Sequence, residues 1–282
     1  MTRLPRLPLS IVVSAQPASF EAATFKGNVE ENLAFVAEVG YDGAELAIRD
    51  PLVIDVEGLE RSLQTWGLRV PAIGTGQAWG EEGLSFTDPD PAVREAAVAR
   101  VLSHIPLAER WDAVIIIGLL RGKVKPGVTR EQAMRWLVEA VRTCARAAAP
   151  HGVRLALEPI NRYETSLINT VEEGLALIEQ VAAPNFGLLL DTFHMNIEEP
   201  SIEESIRKAG PHIFHFHVAD SNRWYPGAGH LDFESILSAL VDTGYRGFIS
   251  GEFLPLPDAA TAARRAYAHL TSLMSEPPGN PR

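Results

Sequence analysis

The chain holds a single cysteine, Cys144, in 282 residues. No internal disulfide can staple it, so its stability must come from a packed core, with Cys144 read as a small core residue inside a helix. Positive charge is also scarce: 25 Lys+Arg stand against 36 Asp+Glu, a formal charge of −11. That balance excludes a protein whose main task is to neutralise phosphate backbones, and no nucleic-acid partner is expected. No apolar run approaches the roughly 20 residues of a membrane span. The N-terminal MTRLPRLPLS lacks the apolar stretch and small-residue cleavage site of a signal peptide. The expectation is a soluble cytoplasmic protein with no membrane partner. A Gly-rich phosphate turn is missing too: SAQPASF (14–20) follows the first apolar run, and neither G-x-G-x-x-G nor a P-loop occurs.

What is present is a well-cored composition, 46% hydrophobic and 22% charged. Short apolar runs alternate with longer amphipathic segments. The strand-like runs are LPLSIVVS (7–14), GAELAIR (43–49), RVPAIGTG (69–76), AVIIIGLLR (113–121), RLALEPI (154–160), FGLLLDTFH (186–194), IFHFHVAD (213–220) and GFISGEF (247–253). Helical patterns fill the gaps, including VEENLAFVAEVG (29–40) and TREQAMRWLVEAVRTCARAAAPHG (129–152), with others opening near Asp55, Asp90, Thr170, Ser201, Asp232 and Asp258. Each opens at a Ser, Thr, Asn or Asp able to cap free backbone N–H groups, and several close on glycine, at Gly40, Gly67, Gly152, Gly210 and Gly244. Eight βα units of this kind predict an α/β fold, a parallel (β/α)8 TIM barrel, rather than a doubly wound sheet. No linker interrupts it, so residues 1–274 are read as one barrel domain and 275–282 as a disordered tail.

In such a barrel the chemistry lies at the C-terminal rim of the strands. The last four runs end in Glu158, Asp191, His217 and Glu252, separated by 33, 26 and 35 residues, about one βα unit each. A lone acid at a strand end is ordinarily a loop cap, but four such residues on four successive strands form one arc, with Glu158 and Glu252 facing each other across the mouth. Three carboxylates and an imidazole cannot converge unpaired without a cost of several kcal/mol, which a divalent cation removes. The donor set suits Mn²⁺, Co²⁺, Mg²⁺ or Zn²⁺. His215 shares the barrel face of His217 one layer deeper and reads as structural.

The segments LEPINRYETSLINT (157–170), LDTFHMNIEEPS (190–201), HFHVADSNRWYPGAGHLDF (215–233) and GEFLPLP (251–257) resemble the sugar isomerase/epimerase superfamily with xylose isomerase-like barrels. Within it they are similar to the D-tagatose/D-psicose 3-epimerases. GTGQA (74–78) and VIIIGLLRGK (114–123) bring the chain nearer to the bacterial 5-keto-L-gluconate epimerase branch, and Phe253 stands where free-ketose epimerases commonly carry proline. The resemblance covers about residues 8–272. It implies one divalent metal, Mn²⁺ first among the candidates, held by Glu158, Asp191, His217 and Glu252. It also implies that Glu158 and Glu252 act as the catalytic acid/base pair, and that His194, Arg223 and Glu164 bind substrate.

The implied reaction inverts a carbon beside the carbonyl of a ketose or keto-hexuronate of the 5-keto-L-gluconate or tagaturonate type, through a metal-stabilised enediolate. Two bases on opposite faces would exchange the proton. Arg121 and Lys123, just past the fourth run, are candidates to hold an anionic tail; Gln77 and Trp79 are rim candidates for hydroxyl contact and water exclusion, with Trp224 beside them. Trp66, Trp111 and Trp136 are read as helix packing. The partner is a small sugar or sugar acid, and relatives suggest a homodimer or homotetramer. Alternatives are a ketohexose 3-epimerase of free sugars, an aldose–ketose or keto-inositol isomerase, an abasic-site endonuclease and a non-catalytic sugar-binding barrel. The first four strand ends carry no histidine for a multi-zinc nuclease site, and a sensor would not need two opposed glutamates.

Overall fold

The computed structural model describes residues 3–275. Eight parallel strands close into a barrel in chain order: β1 (Leu9–Ser14), β2 (Gly43–Ala47), β3 (Ala72–Gly74), β4 (Val114–Ile117), β5 (Leu155–Leu157), β6 (Phe186–Asp191), β7 (Ile213–Val218) and β8 (Ile249–Gly251). β8 pairs back onto β1 through Leu9, Ser10 and Ile11, so no edge remains exposed. The (β/α)8 architecture is the one the alternation predicted.

The barrel helices are α1 (Val29–Val39), α2 (Val56–Trp66), α4 (Pro91–Trp111), α5 (Arg130–Ala148), α6 (Val171–Val181), α8 (Ile202–Ala209), α9 (Phe233–Asp242) and α10 (Ala259–Leu273). All eight predicted caps work: Asn28, Asp55, Asp90, Thr129, Thr170, Ser201, Asp232 and Asp258 each accept a first-turn backbone N–H. Two short helices in βα loops, α3 (Gln77–Glu82) and α7 (Thr192–Glu198), add to the expected pattern, and α7 takes over the last three residues of the strand-like run 186–194. Both fall on the mouth of the barrel and carry site residues.

The main core lies between the sheet and its helices, and Cys144 is fully buried in it. A second cluster fills the barrel itself, from Ala72, Val114, Ile116, Ala156 and Leu189. Two tryptophans depart from expectation: Trp66 is 44% exposed rather than packed, and Trp224 packs on the main core rather than the mouth. Near the two limits of the described residues the Ser275 N–H bonds the Leu4 carbonyl at 2.7 Å. That contact orders the first residue of the predicted tail; 276–282 lie outside the described residues.

Candidate active site

Glu158 follows β5 directly, Asp191 ends β6, His217 lies near the end of β7 and Glu252 follows β8. One ligand atom from each falls within 4.8 Å of the others, so the arc read from spacing closes to a point. Asp191 uses Oδ1 to cap α7, accepting the Phe193 N–H at 2.7 Å, which leaves Oδ2 free to face inward. Gly118 at the end of β4 makes room: a Cβ there would come within 3.3 Å of Glu158 Oε2.

Three atoms of this cup, Glu158 Oε1, Asp191 Oδ2 and His217 Nδ1, are buried without any hydrogen-bond partner. Orphaned buried polar atoms are rare, and three converging at one point demand a common partner. His217 Nδ1 stands 3.9 Å from Asp191 Oδ2 and 4.0 Å from Glu252 Oε2. That is too far for hydrogen bonds but suited to ligands about 2.0–2.2 Å from a shared ion. The donor set therefore fits a divalent cation.

The electrostatics agree. Burial, reinforced by the Glu252 charge, holds the Glu158 carboxyl well above the usual carboxylate range. Burial also raises Asp191. Glu252 is pushed up by burial, partly offset by His217 and Arg223, to about 7. Acids displaced this far within one cleft mark it as the candidate functional site.

Beneath the cup lies a residue that sequence reasoning passed over. Glu45 of β2, 2% exposed, accepts from His215 Nε2 at 2.7 Å and from His217 Nε2 at 2.9 Å. Burial alone would raise its carboxyl, but the His217 charge and the two imidazole donors outweigh it and hold it far below the carboxylate range. For His217, burial is overcome by Glu45, and the ring is raised to about 10. One signal was available: Glu45 interrupts an otherwise apolar run, GAELAIR (43–49).

Around the cup, Arg223 reaches in from the β7–α9 loop. Its Nη1 donates to Glu164 Oε1 at 3.0 Å and its Nη2 to Glu252 Oε2 at 3.4 Å, while its guanidinium carbon lies 4.9 Å from the Phe193 ring centre. Its backbone is left-handed, φ 61, uncommon for a residue with a side chain. The loop is held there by buried Asp220, which accepts the N–H groups of Ser221, Gly227 and Leu231. His194 sits in α7 with Nδ1 accepting from Asn161 Nδ2 at 2.8 Å, so Nε2 carries the proton and faces Glu158 Oε1 at 3.6 Å. Burial, aided by the Arg223 charge, keeps that ring well below its ordinary value and hence neutral. The Asn161 amide also bonds Glu164 Oε1 at 3.0 Å, joining the two substrate-binding candidates from one strand end.

These side chains line a cavity of about 210 Å³ over the barrel mouth. Its lining takes Glu158, Glu164, His194, His217, Arg223 and Glu252 from the later strands, and from the earlier ones the apolar Val12, Phe20, Ala47, Trp79, Ile116 and Leu119 beside the polar Ser19, Glu45, Gln77 and Glu81. The volume lies below the roughly 300–1,000 Å³ of drug-sized pockets and suits a small ligand with one polar face. Gln77 and Trp79 both line it; the Gln77 amide donates to Ser14 Oγ at 2.8 Å and leaves its own Oε1 unpartnered.

Arg121 does not join them. Its side chain is fully buried and outside the cavity lining. Nε donates to the Gly118 carbonyl at 3.1 Å, Nη1 to those of Leu167 and Ile168 at 3.3 and 2.9 Å, and Nη2 to that of Glu158. A guanidinium with four of its five N–H groups spent on carbonyls stitches the β4 and β5 loops together and, buried outside the cavity lining, presents none to a substrate tail. Burial lowers it to about 10 despite the nearby Glu158 charge. Lys123 is the basic residue of that segment at the rim, its Nζ 5.5 Å from the Trp79 ring centre.

Fold and site together define an α/β-barrel enzyme with opposed carboxylates around a cup fit for a divalent cation. The chain belongs to the xylose isomerase-like TIM barrel family, whose sequence profile matches residues 33–273. It is 43% identical over 224 residues to a D-psicose 3-epimerase of Agrobacterium fabrum, covering 76% of this chain and 75% of that one. It is 27% identical over 257 residues to a 3-dehydro-D-guloside 4-epimerase of Escherichia coli, covering 88% and 96%. Among solved structures, a D-allulose 3-epimerase from Methylomonas sp. in complex with D-allulose superposes with a TM-score of 0.79 at 28% identity, over 96% of this chain and 99% of that one. The chain is an enzyme of the isomerase class. No helix among the described residues is long and apolar enough to cross a membrane.

Proposed function

We propose that the chain is a divalent-metal-dependent epimerase that inverts the carbon beside the carbonyl of a small ketose, with Glu158 and Glu252 as its acid/base pair. The observation that carries this is their placement: a buried Glu158 and a largely buried Glu252, both with raised proton affinity, on opposite sides of one cup, with oxygens within 4.8 Å. A cation held by Glu158, Asp191, His217 and Glu252, Mn²⁺ for preference, supplies the Lewis-acid charge that lowers the cost of ionising a C–H beside a ketone. Glu158 and Glu252 divide the remaining work. One removes the proton from one face and the other, protonated, returns one to the opposite face; the roles exchange in reverse. Such transfer is worth about 10²–10⁴-fold. Arg223 balances the charge on Glu252 and Glu164, neutral His194 offers Nε2–H toward the oxygen being polarised, and the apolar part of the lining excludes water.

The favoured substrate is a neutral ketose inverted at carbon 3, as the names of the psicose and allulose enzymes suggest. Arg121 is turned away and Arg223 is already balanced by two glutamates, so no basic side chain lining the cup is left free for a substrate carboxylate. A keto-hexuronate remains a second reading because Lys123 stands over Trp79 at the rim. We also propose a cytoplasmic homodimer or homotetramer, which light scattering after gel filtration tests. The deciding experiment is incubation of Mn²⁺-loaded protein in D₂O with free ketopentoses, ketohexoses and keto-hexuronates. Epimer carrying deuterium at the inverted carbon supports the two-base route. Deuterium at the neighbouring carbon, with aldose formed, replaces it by an isomerase.

A further inference from the structure

We infer that Glu45 is a positioning residue that keeps the His217 proton on Nε2 in the cation-bound protein, so that the Nδ1 lone pair, and not an N–H, faces the cation cup. This rests on the metal-site reading above. Glu45 stands on β2, across the barrel from β7, and belongs to none of the four strand ends that build the cup. Its recorded side-chain hydrogen bonds run to two imidazoles. His215 Nε2 meets Oε2 at 2.7 Å, and His217 Nε2 meets Oε2 at 2.9 Å and Oε1 at 3.1 Å. An ionised carboxylate only accepts. Both rings must therefore place a proton on Nε2, and neither can turn that nitrogen into an acceptor while Glu45 keeps its charge.

The consequence for His217 follows from the ring itself. With Nε2 committed to Glu45, the ring's ability to bind a cation depends on Nδ1, which is buried without a partner beside Asp191 Oδ2 and Glu252 Oε2. The ring cannot swing away either, because Glu45 grips Nε2 with both oxygens and the His215 ring packs edge-on at 5.2 Å. His215 thereby gains a role too. It is the second donor that holds the Glu45 carboxylate in place, at the floor of the barrel. Carboxylate partners behind metal-binding histidines typically alter metal affinity by 10–100-fold.

Glu45→Gln is the direct test, since it keeps the shape but presents one acceptor and one donor to two rings that both need an acceptor. Mn²⁺ affinity of the folded protein, followed by calorimetric titration, is expected to fall about 10–100-fold, with far-ultraviolet dichroism unchanged. Equal affinity in wild type and E45Q overturns this inference and leaves the metal site standing. A wild type that takes up no divalent cation overturns both. A second measurement needs no variant: long-range ¹H–¹⁵N spectra of the Zn²⁺-loaded wild type should show protons on Nε2 of His215 and His217. A His217 proton on Nδ1 overturns the inference whether or not E45Q folds.

Discussion

A carboxylate oxygen of Glu158 and one of Glu252 lie within 4.8 Å of each other in a buried cup, closer than two like charges stay without a cation or a shared proton between them. The consequences can be measured.

The metal-free protein should lose stability as pH rises, through Glu252 between about 4.5 and 7 and through His217 between about 6.5 and 10. Glu252, raised to about 7, Glu158, raised well above the usual carboxylate range, and His217, raised to about 10, hold protons in the native state that the unfolded chain releases earlier. More protons bound to the native than to the unfolded chain make unfolding easier with rising pH. The stabilisation is complete below the unfolded values and lost as pH climbs through the folded ones. His194 and His215, which are lowered, act the other way only below their ordinary value near 6.5. Thermal melts from pH 7 to 10 should therefore fall without metal. Saturating Mn²⁺ should lift them most at the alkaline end, where its ligands are already deprotonated; a flat metal-free profile contradicts the buried-acid arrangement.

Glu158→Gln and Glu252→Gln should each cut turnover by about 10²–10⁴-fold. Each removes a buried carboxylate from a repelling pair, so the metal-free variants should melt no lower than wild type at pH 8. Polarimetry and melting curves on the same preparations check both halves.

Arg223→Met should move the acid limb of the kcat/KM profile to higher pH. Arg223 is among the charges that lower the proton affinity of Glu252, and without it the base gives up its proton later. A limb that stays in place means Glu252 is not the base that titrates there.

Arg121→Met should destabilise the fold by about 3 kcal/mol or more, because the Leu167 and Glu158 carbonyls lose their guanidinium donor and those of Gly118 and Ile168 keep only a backbone N–H. The preference between keto-acid and neutral ketose should change less than about threefold. Urea unfolding and paired substrate kinetics separate this structural role from the tail-binding role first expected of it.

Much of this architecture was legible in the residue order because local rules set it. Capping side chains and apolar periodicity act within a few residues, so eight helix starts and eight strands could be read without tertiary knowledge. The four cup residues were legible for a related reason: a regular βα repeat turns sequence spacing into angular position around the rim. Arg121 misled because its neighbours in sequence are rim residues, while the β5–α6 loop that consumes its donors lies up to 47 positions away, at Ile168. Glu45 escaped notice because its partners are 170 and 172 positions away.

Residue order alone determined the alternation, the caps and the arc of Glu158, Asp191, His217 and Glu252, all consequences of short-range backbone and side-chain preferences. Only closure of the sheet decided what crosses the barrel. It brought Glu45 of β2 under the histidines of β7 and sank the Arg121 guanidinium into carbonyls of another loop. It also left three polar atoms facing one another with no partner. Those outcomes depend on which distant side chains share a buried volume.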